Sequence, residues 1–295
     1  MLFFVSSSPR GRAVYARQDI EVGAQLLSEE PLASMPLPET RAAIGTCARC
    51  GRVHGRITAQ LKRLLGHDHL PALPMDDDDD HLAGSVPCEL SCGALYCSMA
   101  CRSQHAAHCY LCPAHSKKMS AAILRFESHA LKTHEVFLFG ARLAAEVLAR
   151  GGADPFAALC RVPWHMISDE GASQSPMAQQ DAKRAAAESH RLLLDVFRSV
   201  PAKTDWLTLD WWLGVLGAAR RNSLCVELSH PVTSDFLPAL RMWLKAQGES
   251  AGQPVKQMLD ALPRPLPEPL STALYAQISF ANHSCQPNAE VCRQP

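Results

Sequence analysis

Four pairs of side chains able to ligate zinc follow one another between residues 47 and 112. They are Cys47-x2-Cys50, Cys88-x3-Cys92, Cys97-x3-Cys101 and His108-x3-Cys112. A zinc ion takes four thiolate or imidazole ligands in a tetrahedron, with Zn–S near ~2.3 Å. Ligands separated by two or three residues suit it, because one tight turn aims both at the same ion. Eight ligands in four pairs make two closed sites, which are structural rather than catalytic. The competing reading is a set of buried free thiols plus a surface histidine. Against it, most of the 12 cysteines crowd into this one segment, and reactive thiols are not clustered this way without a use for them. Cys109 fits neither site. His105 and His115 are alternatives to His108, which has the better spacing.

Regularly spaced cysteines in a reducing compartment point to metal rather than to disulfides. No apolar run approaches the ~20 residues that span a bilayer. The apolar start, Met1-Leu2-Phe3-Phe4-Val5, is too short for a signal peptide and has no basic stretch before it. The expectation is an intracellular protein, in the nucleus, the cytoplasm or both, without membrane attachment. Lysine and arginine number 29, and aspartate and glutamate also 29. With no net charge and no basic stripe on the cysteine segment, strong nucleic-acid binding is not expected.

The elements that must position these residues follow from periodicity. Residues 13–16 read as a strand, Asp19 and Gly23 bracket a turn, and residues 25–28 resume an extended run. Residues 51–87 read as a long insertion around the acidic run 76–80, whose adjacent like charges favour a solvated, partly disordered loop. Residues 117–150 read as helix, with Val136, Phe139, Leu143 and Val147 at helical spacing, Thr133 as a cap after a break, and Gly151-Gly152 as the stop. Further helical runs lie near 177–198, 206–220 and 234–246. Four prolines over 263–269 make an extended spacer. Residues 274–280 then read as a buried strand running into the polar turn Asn282-His283-Ser284-Cys285.

The cysteine segment, with its Tyr96-Cys97-Ser98-x-x-Cys101 core, resembles the MYND finger. That resemblance implies interleaved pairing. Cys47, Cys50, Cys97 and Cys101 would hold one ion, and Cys88, Cys92, His108 and Cys112 the other. The gap between Cys50 and Cys88 is longer than usual in the family, and Gln104-His105 stands where a tryptophan is common. Three further stretches resemble the SET domain. Residues 278–289, I-S-F-A-N-H-S-C-Q-P-N-A, are similar to its N-H-S-C-x-P-N signature. Gly11-Arg12-Ala13-Val14-Tyr15-Ala16-Arg17-x-Asp19-Ile20-x-x-Gly23 is similar to its opening. Asn222-Ser223-Leu224 is similar to an N-S-F element upstream of the signature. Their order around the finger is that of the SMYD group.

The resemblance implies an α+β chain, a SET β-fold split by an inserted MYND zinc finger and a helical region. Residues 1–46 would be the SET N-terminal part, 47–112 the finger, 113–220 the helical region, and 221–295 the SET C-terminal part. It further implies an S-adenosylmethionine-dependent protein-lysine methyltransferase, acting as a monomer on a protein with an accessible lysine. Gly11, Arg12, Ala13, Asn222, Asn282 and His283 would bind the cofactor. Gly11, lacking a side chain, would let the backbone approach it. The acceptor lysine must be neutral, which a dry channel favours by disfavouring the cation. The family's catalytic tyrosine and post-SET cysteines fall beyond Pro295, so no catalytic residue is assigned and the catalytic domain is expected to be incomplete. Cys285 is placed for a third, incomplete zinc site. The alternative is an inactive zinc-binding interaction module carrying a SET remnant, whose finger takes proline-containing peptides.

Overall fold

The helical stripes fold largely where their periodicity puts them. In the computed structural model, which describes residues 3–8, 11–74, 85–167, 175–228, 230–246 and 252–291, the chain is a mixed α+β protein. Strands β1 (Phe3–Ser8) and β2 (Gly11–Ala16) form an antiparallel hairpin, with Gly11 opposite Ser8 and Ala16 opposite Phe3. Strands β3 (Ala33–Pro36), β6 (Leu224–Glu227) and β7 (Leu270–Leu274) form a three-stranded sheet in the order β3-β7-β6. Strands β4 (Val86–Pro87) and β5 (Leu95–Tyr96) make a short hairpin. The chain divides into two compact units. One comprises residues 1–34, 106–224 and 272–295, and the other residues 35–105 and 225–271.

The first unit is built on four helices, α4 (Lys117–Thr133), α5 (Val136–Ala149), α6 (Pro176–Phe197) and α7 (Leu209–Asn222). Ser116, Ser175 and Thr208 cap α4, α6 and α7, each side chain accepting a hydrogen bond from the N3 amide. Helix α5 is buried on almost every side from Phe137 to Leu148, as expected of a helix at the centre of a core. Trp212 of α7 is fully buried, and its indole N–H donates to Ser189 Oγ at 2.9 Å and to the Ala186 carbonyl at 3.1 Å. The break between α4 and α5 falls as expected, but Thr133 does not cap. It ends α4, and its hydroxyl donates to the His129 carbonyl at 2.7 Å. Gly151 and Gly152 stop α5 with positive φ, at 67° and 96°, conformations that cost glycine little.

The second unit corrects the loop expected at 51–87. Residues Ile57–Leu65 form helix α2, closed by Gly66 in the left-handed region. Short helix α1 (Pro38–Ala43) precedes it. Ile57 and Leu61 of α2 pack into a cluster with Val232, Phe236, Leu240 and Val255. The last four come from the π-helical turn Val232–Phe236 and from α8 (Leu237–Ala246) and α9 (Gln253–Ala261). The acidic run itself lies outside the described residues. Leu61 is completely buried. Leu61→Ala is therefore expected to destabilise the unit by about 2–5 kcal/mol, the usual cost of emptying a core leucine site. A denaturant midpoint unchanged by that substitution would place α2 outside the core.

Residues 25–28 carry no strand. The strand expected at 274–280 ends early. It stops at Leu274, and Ile278–Phe280 is a 3-10 turn.

Candidate zinc sites and signature region

The structure brings the eight predicted ligands together as two groups. Cys47, Cys50, Cys97 and Cys101 form one, and Cys88, Cys92, His108 and Cys112 the other, with the ligand atoms of each within 4.8 Å of one another. A tetrahedron with ~2.3 Å Zn–S bonds sets its sulfurs about 3.8 Å apart. Cys50 and Cys97 lie 3.8 Å apart, and Cys97 and Cys101 3.5 Å. The donor set and its spacing fit zinc.

Local chemistry builds each half of the first site. The Cys47–Cys50 turn is closed by the Cys47 amide donating to the Arg52 carbonyl at 2.8 Å and the Gly51 amide to the Cys47 carbonyl at 2.9 Å. Gly51 has φ +73°, and a Cβ there would lie 2.8 Å from Ser271 Oγ, so both conformation and space require glycine. The Ala48 amide donates to the Leu95 carbonyl at 2.8 Å, which ties this turn to β5. Cys97 and Cys101 flank Ser98, the N-cap of α3 (Met99–Ser103). The Ser98 hydroxyl accepts from the Cys101 amide at 3.1 Å, so one cap fixes the separation of both sulfurs. In the second group, Cys88 and Cys92 sit on the tight turn beyond β4, where Ser91 and Gly93 have positive φ. His108 lies on the 3-10 segment Ala106–Leu111, which leads into Cys112. His105 is instead buried edge-to-face against Tyr96 at 5.5 Å. Cys109 is exposed and belongs to neither group.

Crowding the sulfurs sets their proton affinities against one another. A hydrogen bond from Cys50 lowers the Cys47 thiol to about 4, and the same pairing raises Cys50. Burial and the Cys47 charge raise Cys97 to about 11. Burial, reinforced by Arg142, lowers His108 to about 4 and keeps it in the neutral form that ligates metal. The Arg49 guanidinium lies 4.0 Å from Cys101 Sγ, where it offsets the negative charge of a thiolate cluster.

Within the first unit, the three remaining motif stretches meet. The Ser279 hydroxyl donates to the Asn222 carbonyl at 2.9 Å and accepts from the Tyr275 amide at 3.2 Å. The Arg12 guanidinium lies over the Phe280 ring, 4.8 Å from its centre. Ala13 is buried. The Asn222 side chain is committed to its own neighbourhood. It donates to the Ala218 carbonyl at 2.8 Å and the Cys160 carbonyl at 3.1 Å, and accepts from the Cys160 amide at 3.4 Å. Asn282, His283 and Cys285 lie in an exposed stretch without regular structure. Cys285 Sγ is 3.4 Å from His283 Nε2, and Cys292 lies outside the described residues.

One residue of this region has no local signature in the sequence. The Glu29 carboxylate accepts from three consecutive amides, those of Ala276 at 2.7 Å, Gln277 at 3.0 Å and Ile278 at 3.0 Å. Those partners lie 247 to 249 residues away along the chain, so only the fold reveals the pairing. No protein-family model matches the chain, and no curated protein matches it. Among the described residues, no helix is long and apolar enough to cross a membrane.

Proposed function

We propose that this chain carries the cofactor-binding part of an S-adenosylmethionine-dependent protein-lysine methyltransferase of the SMYD type, a SET fold interrupted by a two-zinc MYND finger. The observation that carries the reading is the meeting of the three SET-like stretches. Ser279 of the signature bonds the carbonyl of Asn222, and Phe280 lies under Arg12 of the opening strand. Segments so distant in sequence have to meet if they are to build one cofactor site.

Each stretch has its part in that site. The backbone of β2 at Gly11 and at Ala13 gives close approach, since neither of those two residues has a bulky side chain, while Arg12 between them lies over Phe280. Asn282 and His283, both exposed, are available to hydrogen-bond a ligand. Asn222 supports the signature through its carbonyl, its side chain being otherwise engaged. When bound, S-adenosylmethionine supplies an electrophilic methyl group on a sulfonium centre. The protein's share of an in-line transfer is mainly positioning. The zinc-held finger offers a docking module for a protein partner, with proline-containing peptides as the proposed class.

Titration of S-adenosylmethionine into the zinc-loaded chain tests the proposal. Saturable binding is expected, and Asn282→Ala is expected to weaken it by about tenfold or more, the scale of one or two lost hydrogen bonds. A chain that holds zinc yet shows no saturable binding would overturn the methyltransferase reading and leave the interaction module.

A further inference from the structure

We infer that Glu29 is a positioning residue that sets the place of the signature segment from the far side of the sequence. The inference rests on the methyltransferase reading for its consequence, but not for its geometry.

The 3-10 turn at Ile278–Phe280 begins with amides that have no carbonyl to bond within the turn. A single carboxylate takes them. Glu29 Oε1 accepts from Ala276 and Gln277, and Oε2 from Gln277 and Ile278. Hydrogen bonds to an ionised carboxylate are about twice as strong as neutral ones. Three amides converging on one group also fix its orientation as well as its position.

The consequence reaches the motif directly. With residues 276–278 held, the turn closes through the Phe280 amide donating to the Gln277 carbonyl at 2.9 Å and the Ala281 amide to the Ile278 carbonyl at 2.9 Å. Ser279 is thereby presented to Asn222, and Phe280 to Arg12. The chain leaves this turn straight into Asn282 and His283. Glu29 therefore determines where those two residues start, without touching a ligand itself.

Removing the side chain should leave an anion-sized gap lined by three amide N–H groups, and a small carboxylate should refill it. The test compares the unaltered chain with Glu29→Ala and Glu29→Gln, each zinc-loaded, in excess sodium acetate and in sodium chloride of equal ionic strength. Two quantities are read, hydrogen exchange over residues 276–281 and affinity for S-adenosylmethionine. Glu29→Ala should speed exchange and weaken binding by about tenfold in chloride, and acetate should restore both. Glu29→Gln keeps one acceptor but turns an NH2 group toward the amides, so a smaller loss without acetate rescue is expected. Unchanged exchange in Glu29→Ala would overturn the anchor. Faster exchange with unchanged affinity would overturn its role in positioning the motif. If the unaltered chain binds no S-adenosylmethionine, the proposed function falls, and the anchor is then decided by exchange and its rescue by acetate alone. An Glu29→Ala chain that loses its fold is distinguished by its zinc content and by Glu29→Gln.

Discussion

Replacing Cys97 with serine is expected to lower bound zinc from about two ions per chain to about one and to unfold the segment around the first site, whereas Cys109→Ser should leave both ions in place. The size of the effect follows from comparing two energies. A structural zinc ion contributes on the order of 10–16 kcal/mol of apparent folding free energy at neutral pH. A whole domain is stable by only about 5–15 kcal/mol. Losing one ion therefore removes as much as the rest of the local structure supplies. In the unaltered chain, too, the four crowded sulfurs need a cation between them. Cys97 and Cys101 stand 3.5 Å apart, and the Cys97 thiol is already raised to about 11 by burial and by its neighbour's charge. Only a bound divalent ion allows all four to ionise. Metal loading should accordingly release protons, and zinc affinity should fall as pH falls, because protons compete for the same sulfurs. Metal analysis with calorimetry in two buffers of different ionisation enthalpy reads both quantities. A zinc content near zero in the unaltered chain would end the finger reading. Equal losses from Cys97→Ser and Cys109→Ser would show that the ligands are wrongly assigned.

The two clusters that suit zinc were legible in the sequence as pairs, because each pair is local. A two- or three-residue gap is a statement about one turn, and Ser98 even supplies the cap that sets its own pair. The helices were legible for the same reason, since the stripes of α5 and α7 repeat within a few turns. Helix α2 was not, because the nearby acidic run suggested a solvated loop. Its apolar face has meaning only against Val232, Phe236 and Leu240, well over a hundred residues later. The strand expected at 274–280 failed on a long-range effect too. Residues 276–278 have strand-like neighbours, but Glu29 captures the amides a ladder would need, so the chain turns instead. Asn222 was legible as a motif residue, while its side chain's commitment to Cys160 was not.

Gly217→Ala and Gly214→Ala should move stability in opposite directions, although the two glycines lie one turn apart on α7 and both are buried. Glycine in a helix interior costs about 1 kcal/mol relative to alanine, so each substitution starts from the same gain. Packing then separates them. A Cβ on Gly214 would find nothing nearer than the Arg161 Cβ at 3.6 Å, which is ordinary van der Waals contact, so Gly214→Ala should be neutral or stabilising. A Cβ on Gly217 would overlap the Val162 carbonyl oxygen and stand 2.9 Å from its carbon and 3.4 Å from the Trp164 amide nitrogen. Those atoms are backbone and cannot rotate away as a side-chain tip can. The segment at 162–164 would have to lift from α7, drawing with it Trp164, which packs edge-to-face on Phe137 at 5.2 Å. Overpacking of this kind costs roughly 1–3 kcal/mol and more where backbone must move, so Gly217→Ala should fall at or above the top of that range. Paired denaturant titrations measure the difference, and similar midpoints for the two variants would mean that α7 does not seat against residues 162–164.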